Sequence, residues 1–207
     1  MSNQRDLIVL VADLDAENVV RTLLGKRVQA LGIRELTFDL VRHYMRDSGC
    51  RREGSALLRN YLRTHRQAMV PFDLHGSGRD RTAPEVVEGE VEATLRRDGW
   101  GERAACVVLA PELENWVWSP SPEVDAALGW GTSTTSLRDF LVAEGYPPGS
   151  DGKPADPKAA MLAALRRVRK PHSARVFAEL AAQVGLGGCQ DRSFHRFTAT
   201  LQAWFPV

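Results

Sequence analysis

The first half of the chain carries four short apolar runs with the length of β-strands. Residues 7–12, 68–72 and 106–109 are apolar throughout, which is typical of strands buried on both faces of a parallel sheet. Residues 36–40 alternate apolar and polar side chains, which predicts a strand nearer an edge. Pro71 lacks a backbone donor, so the third strand is expected to end early or to carry an irregularity.

Helical periodicity separates these runs. The first helix is predicted over residues 17–32, where four apolar side chains form a stripe that ends at Gly32. Two further helices are predicted over residues 55–65 and 82–95, and the second of these has Pro84 in its first turn. Strands that alternate with helices favour parallel pairing with crossover connections. The predicted fold is therefore α/β, with a four-stranded, mainly parallel, Rossmann-like sheet.

The pattern changes after Trp118. Residues 119–122 read Ser-Pro-Ser-Pro and break the alternation, and the remainder of the chain predicts only helices, over residues 136–145, 156–170, 173–184 and 191–204. We therefore expect an α/β domain over residues 1–119 and a helical C-terminal region over residues 120–207 that packs on it.

Charge and cysteine content narrow the function classes. The chain has 27 Lys+Arg against 26 Asp+Glu among 207 residues, and a net charge of +1 gives no global attraction to nucleic acid. The basic groups at residues 51–52 and 166–170 are either phosphate contacts or solvated helix faces. No apolar run is long enough for a signal peptide or a membrane span, so a cytoplasmic protein without a membrane partner is expected. Three widely spaced cysteines support neither disulfides nor a zinc ribbon.

Carboxylates crowd the ends of three apolar runs. The residues concerned are Asp13, Asp15 and Glu17 after the first run, Asp73 after the third, and Glu112 and Glu114 after the fourth. Because all strands of a parallel sheet end at one edge, acids from distant segments are expected to converge there on a divalent metal ion.

Each of these acids also has a structural interpretation. Asp13 and Asp15 suit the start of a helix, where they bind free amides, and we favour that role for Asp15. Glu112 and Glu114 either lie on one side of an extended segment or begin a helix. Trp116 and Trp118 are expected to pack the junction with the helical half rather than to stack on bases.

Three segments resemble the Toprim-like proteins of bacterial defence islands. They are the strand that ends in Asp13, the turn Asp73-Leu74-His75-Gly76, and the motif Pro111-Glu112-Leu113-Glu114-Asn115-Trp116. Residues 170–175 and 191–197 resemble the closing segments of the same proteins, so the resemblance spans nearly the whole chain. More narrowly, the chain is similar to the Toprim-like component of methylation-associated anti-phage defence systems.

The resemblance implies a divalent-metal site, with Mg²⁺ or Mn²⁺, for phosphodiester chemistry on nucleic acid. It assigns Asp13 or Glu17 as the acid or base and Asp73, Glu112 and Glu114 as metal ligands. The D-x-D pattern of such folds is here Asp73-Leu74-His75. An imidazole replaces a hard oxygen ligand, which weakens the assignment to Mg²⁺ and leaves His75 as a softer ligand or a neighbour of the ligands.

Other chemistries have weaker support. Arg79 and Arg81 lie in a glycine-containing loop before a helix and are candidate phosphate contacts, but the loop lacks a P-loop lysine and a connector is the simpler interpretation. The histidines show no zinc-site spacing, and no nucleophile motif is present.

The sequence supports two hypotheses. The first is a metal-dependent defence protein that acts on nucleic-acid phosphodiesters, alone or with other proteins of a defence operon. The second is a non-catalytic adaptor that uses the same scaffold to dock partner proteins, which the missing second aspartate motivates.

Overall fold

The computed structural model describes residues 4–119 and 121–207. Four strands form one sheet: β1 (Arg5–Val11), β2 (Phe38–Arg42), β3 (His65–Asp73) and β4 (Ala104–Leu109). Their order is β2-β1-β3-β4 and every pairing is parallel. The predicted α/β fold with a four-stranded parallel sheet is confirmed, and β2 lies at an edge as its alternating pattern indicated.

The third strand does not end early. Its pairing with β1 stops at Met69, but Pro71 still pairs with Val107 of β4, and β3 continues to Asp73. Of the two alternatives, a shortened strand was wrong because β4 supports β3 beyond Met69, whereas the expected irregularity corresponds to the loss of pairing with β1 just before Pro71.

Ten α-helices occur within the described residues. In the first part of the chain they are α1 (Leu14–Lys26), α2 (Val28–Leu31), α3 (Arg46–Leu58), α4 (Pro84–Leu95) and α5 (Glu114–Val117). The helical C-terminal region contains α6 (Pro122–Ala127), α7 (Leu137–Ala143), α8 (Pro157–Arg167), α9 (Ala174–Gln183) and α10 (Arg192–Trp204).

Alternate residues of β1 enter two separate cores. Leu7, Val9 and Val11 pack with α1 and the C-terminal helices on one face of the sheet. Ile8 and Leu10 pack with α3 and α4 on the other face. The sheet is thus covered on both sides, which explains why its central strands are apolar at consecutive positions.

Helix α3 begins nine residues before the predicted start at residue 55. Its buried face consists largely of small residues, including Gly49, Cys50 and Gly54. A Cβ atom on Gly54 would lie 2.9 Å from a methyl group of Leu10, so a larger residue has no room against the sheet. A helix that packs through small residues shows no stripe of large apolar side chains, which is the pattern used to predict helices.

The sheet reverses its winding between β1 and β3. The chain leaves β1 for α1 on one face, whereas it leaves β3 for α4 on the opposite face. A crevice opens at such a point outside the carboxyl ends of the two strands, and α/β proteins commonly bind ligands there. The acids that follow β1 and β3 therefore flank this crevice.

The helical C-terminal region is joined to the sheet by the two predicted tryptophans. Trp116 donates from Nε1 to Ser193 Oγ of α10 at 2.7 Å, and Trp118 donates to the Pro157 carbonyl at 2.9 Å. The prediction that both residues pack the junction is confirmed.

Two composition-based expectations can be compared with the structure. All three cysteines are free, as predicted. Each helix within residues 4–119 and 121–207 is too short or too polar to span a membrane.

Candidate metal centre

Three predicted ligands meet at the carboxyl edge of the sheet. Asp73 is the last residue of β3, and Glu112 and Glu114 follow β4, with Glu114 as the first residue of α5. One carboxylate oxygen from each residue lies within 4.8 Å of the others. The helical interpretation of Glu114 is correct, and the three carboxylates lie close enough together to bind a metal ion.

The surroundings hold these carboxylates in place. Asp73 Oδ1 accepts a hydrogen bond of 2.8 Å from the Leu113 amide, which ties the end of β3 to the segment between the two glutamates. The side chains of Glu112 and Glu114 are only 7% and 3% exposed. Nearly buried carboxylates near each other repel unless a cation lies between them.

The pKa values of the clustered acids reflect their burial and this repulsion. Burial raises the pKa of Asp73 well above its ordinary value, and the charges of Asp47 and Glu114 raise it further. Burial also raises the pKa of Glu112, with Glu114 adding to the effect. A bound divalent cation would favour the ionised form of both groups.

Asp47 is a fourth acid at this edge that the sequence analysis missed. Its Oδ1 accepts a hydrogen bond of 2.9 Å from the Asp73 amide, and burial raises its pKa. Asp47 lies in the first turn of α3, after β2. Because the predicted helix began at residue 55, Asp47 was not considered, and no apolar run directly precedes it as one does the other acids.

Asp13 is the N-cap of α1, so the assignment of Asp15 as the cap was wrong. Asp13 Oδ1 accepts from the amides of Asp15 and Ala16, both at 3.0 Å, and its Oδ2 accepts from Arg46 at 2.7 Å. Arg46 adopts a φ of 52°, a left-handed conformation that is uncommon for a residue other than glycine. Both oxygens of Asp13 are thus engaged in structural contacts.

Asp15 lines the inner cleft together with Asp13, but it makes no capping contact. Its Oδ2 lies 3.8 Å from His172 Nε2, which comes from the segment before α9. Burial raises the pKa of Asp15, and the neighbouring charge of Asp13 raises it further. Asp15 is therefore a carboxyl group with increased proton affinity beside the three clustered acids.

Glu17 pairs with arginines away from the clustered acids, and His75 lines the surface beside them. The Glu17 carboxylate binds Arg21 at 2.7 Å and Arg42 at 2.9 Å. His75 Nδ1 is 3.9 Å from Glu112 Oε2, beyond hydrogen-bonding distance, and the side chain is 71% exposed. The predicted role of Glu17 as acid or base, and that of His75 as a ligand or its neighbour, stay predictions.

The two candidate phosphate contacts differ in their surroundings. Arg79 forms a bidentate ion pair with Glu90, with both N···O distances at 2.8 Å. Arg81 is exposed at the end of the same loop. Neither lines the acidic cleft, and their role as phosphate contacts stays a prediction.

Lys158 brings a positive charge from the helical half into the acidic cluster. Its Nζ lies 3.3 Å from Glu114 Oε1 and 3.6 Å from Glu112 Oε2, and its side chain is 48% exposed. Burial alone would lower the pKa of Lys158, but the two carboxylates outweigh that effect and raise it. The sequence offered no sign of this contact, because 44 residues separate Lys158 from Glu114.

The cluster borders two connected depressions. An inner cleft of about 110 Å³ is lined by Asp15, Asp73, Glu114 and Lys158 among others. A more open depression of about 470 Å³ shares Asp73 and Lys158 with it and adds His75 and Glu112. The clustered acids therefore border a depression that is open at the surface.

Comparisons with family models, with curated proteins and with solved structures gave no match to this chain.

Proposed function

We propose that this chain is a Toprim-like defence protein that binds a divalent metal ion at the carboxyl edge of its sheet and acts on nucleic-acid phosphodiesters. The proposal combines the motif resemblance with the geometry of the acids. It allows the protein to act alone or together with other proteins of a defence operon.

The observation that carries the proposal is the convergence of carboxylates from segments far apart in the chain. Asp73, Glu112 and Glu114 place oxygens within 4.8 Å of one another at the carboxyl edge of the sheet. Keeping such acids together costs free energy because burial and mutual repulsion oppose their ionisation. Ionisable groups with such shifted pKa values, grouped in one cleft, are characteristic of functional sites.

The donor set fits a hard divalent cation. Carboxylate oxygens are the ligands that Mg²⁺ and Mn²⁺ prefer, and Asp73, Glu112 and Glu114 would hold the ion. When bound, the ion would neutralise charge on a phosphodiester and lower the pKa of a water molecule. The acidic edge also needs such an ion because its own charge repels a phosphate backbone.

Asp15 is the best-placed group for proton transfer. It lines the cleft with a raised pKa and has His172 beside it, whereas both oxygens of Asp13 are occupied by the α1 cap and by Arg46. A carboxyl group whose pKa is shifted towards neutrality suits general acid–base catalysis. We therefore assign the proton transfer that the resemblance gave to Asp13 or Glu17 to Asp15.

A cleavage assay tests this function. Purified protein is incubated with supercoiled plasmid or with labelled single-stranded DNA in Mg²⁺, in Mn²⁺ or in EDTA. We expect cleavage only with metal, and at least about a 100-fold loss in an Asp73→Asn, Glu112→Gln double variant, since even residues that merely support ligands contribute 10- to 100-fold.

The matched control removes the same charges elsewhere. Glu102 and Asp151 are exposed and lie outside the cleft, so a Glu102→Gln, Asp151→Asn variant should cleave at the wild-type rate. Cleavage that is equal in wild type and in the Asp73, Glu112 variant would refute the site assignment.

One observation favours the adaptor hypothesis as a second candidate. Lys158 already pairs with two of the three acids, so the cluster is partly neutralised by the chain itself. Under this hypothesis wild-type protein would bind no divalent ion and cleave nothing, but would co-purify with other products of its operon.

A further inference from the structure

Lys158 lies where a positive charge compensates the acids of the cleft. Its Nζ contacts Glu112 and Glu114, the two least exposed carboxylates of the cluster, at 3.6 and 3.3 Å. Arg46, the other cation at the cleft, binds Asp13 instead. Lys158 is thus the cation that the described residues supply to the clustered glutamates.

The position of Lys158 on its helix explains how it reaches the site. Asp156 caps α8 and Pro157 is its first residue, so Lys158 lies in the first turn of the helix. The side chain lines the inner cleft and the open depression and is half-exposed, so it has room to leave the glutamates and stay at the mouth of the cleft.

We propose that Lys158 is a resident counter-cation that a divalent metal ion displaces, after which its ammonium group contacts a phosphate of the nucleic acid at the mouth of the cleft. The inference rests on the metal site of the proposed function. Because one ammonium group and one divalent ion compete for Glu112 and Glu114, displacement leaves a positively charged group beside the incoming anion.

If Lys158 competes with the metal ion and also contacts nucleic acid, one substitution should change the affinities for the two ligands in opposite directions. Removing the charge of Lys158 should strengthen metal binding, since a competing cation is gone, and should weaken nucleic-acid binding, since a phosphate contact is gone. A residue that only stabilised the fold would change both affinities in the same direction.

The first measurement is calorimetric titration with Mn²⁺ alone. We expect Lys158→Met to bind Mn²⁺ about tenfold or more tightly than wild type at low ionic strength, and Lys158→Arg to resemble wild type. The matched control is Lys26→Met, which removes the same charge at the last residue of α1, roughly 20 Å along that helix from the cleft.

The second measurement is fluorescence anisotropy with a labelled single-stranded oligonucleotide at saturating Mn²⁺. Lys158→Met should bind it at least about threefold more weakly, and the slope of log affinity against log salt should fall in magnitude by about 0.7, the value for one phosphate contact to a single strand. Lys26→Met should change neither quantity.

A third measurement needs no substituted protein. Acetic anhydride modifies accessible lysines, and mass spectrometry gives the rate at each one. Addition of Mg²⁺ should increase the rate at Lys158 relative to Lys26 because the ammonium group is released from its two carboxylate partners. This keeps the inference testable if Lys158→Met folds poorly, and Lys158→Gln provides a second variant.

The outcomes separate this inference from the proposed function. Equal Mn²⁺ affinity in wild type and Lys158→Met overturns the role of Lys158 and leaves the metal site intact. Binding only in Lys158→Met would show that the ion cannot displace Lys158, which overturns the displacement proposed here together with a metal-dependent function of the native chain. Absence of Mn²⁺ binding in both proteins overturns both proposals.

Discussion

Asp13 and Asp15 lie two residues apart, yet their carboxylates have different surroundings. Both line the cleft, but Asp13 accepts from two amides of α1 and from Arg46, whereas Asp15 lies beside His172. Sequence spacing places both acids at the start of one helix, which makes each a plausible cap. Only the direction of each side chain in the folded protein separates the capping residue from the candidate acid–base group.

Substitution of Asp13 by serine separates capping from catalysis. Serine is also a good N-cap, so Asp13→Ser should change the free energy of unfolding by less than about 0.5 kcal/mol, whereas Asp13→Ala should cost about 1 kcal/mol. Cleavage should persist in Asp13→Ser and be lost in Asp15→Asn. Chemical denaturation and the plasmid assay measure the two effects, and loss of cleavage in Asp13→Ser with normal stability would return the acid–base role to Asp13.

The buried charge of Asp73 should make metal-free protein less stable as pH rises. The pKa of Asp73 is raised in the native state, so ionisation of this carboxyl group lowers the free energy of unfolding. The loss is absent below the ordinary pKa of 3.8. Between that value and the native pKa it grows by about 1.4 kcal/mol for each pH unit. Asp73→Asn keeps an acceptor for the Leu113 amide and removes the charge. It should therefore be more stable than wild type at pH 7 and equal to it near pH 3.5.

Thermal unfolding in EDTA at a series of pH values measures the difference in stability between Asp73→Asn and wild type. Asp80 is the control of opposite sign, because hydrogen bonds from the Gly76 amide and from its own amide lower its pKa. Asp80→Asn should not stabilise the protein at pH 7. An Asp73→Asn variant less stable than wild type across the pH range would contradict the account of a strained acidic cluster.

At the scale of elements, the outer edge of β4 is covered by charged side chains rather than by a fifth strand. The Cys106 and Val108 amides donate to Glu92 and Glu88 of α4, both at 2.9 Å. Arg196 and Arg192 of α10 donate to the carbonyls of the same two strand residues. The side chains replace the hydrogen bonds of a neighbouring strand and block pairing with another chain.

Removal of Glu88 should open this edge. Glu88 is 1% exposed, and Glu88→Ala leaves the Val108 amide without its acceptor and removes the buried carboxylate that pairs with Arg192, so a loss of about 2–4 kcal/mol in stability is expected. Glu90→Ala, an exposed glutamate on the same helix, should cost less than about 1 kcal/mol. Denaturation and light scattering measure stability and association, and equal effects of both substitutions would contradict the edge-protection role.

The elements differ in how far the sequence predicts them. The strands β1, β3 and β4 were predictable because both of their faces are buried, which leaves uninterrupted apolar runs, whereas the partly buried β2 was predictable from its alternation. The start of α3 was not predictable because that helix packs through the small residues Gly49, Cys50 and Gly54. Asp47, in its first turn, was therefore missed. The clustered acids Asp73, Glu112 and Glu114 lie at or after the ends of strands and were predictable, whereas Lys158 reaches them only through packing of the helical half.

At the scale of the whole molecule, the two halves share one core and one cleft. Apolar side chains of β1 and α1 pack in the same cluster as those of α8, α9 and α10. Helix α8 supplies Lys158 to the acids of the sheet, and α10 covers the edge of β4. The boundary predicted near residue 119 is therefore crossed by the core as well as by the site.

A chain of residues 1–119 should not fold alone. Without the C-terminal helices, one face of the sheet loses its cover and the Arg192 and Arg196 contacts to β4 disappear. We expect aggregation or a non-cooperative thermal transition by circular dichroism, against one cooperative transition for the full chain. A monomeric fragment with a cooperative transition would indicate that the sheet domain is independent of the helical region.

Anomalous diffraction from crystals soaked in MnCl₂ measures whether Asp73, Glu112 and Glu114 bind a divalent metal ion as proposed. We expect an anomalous peak between these three carboxylates, with the Lys158 ammonium group moved away from Glu112 and Glu114. Crystals with no peak at this position under saturating Mn²⁺, and with Lys158 still paired to both glutamates, would contradict this proposal.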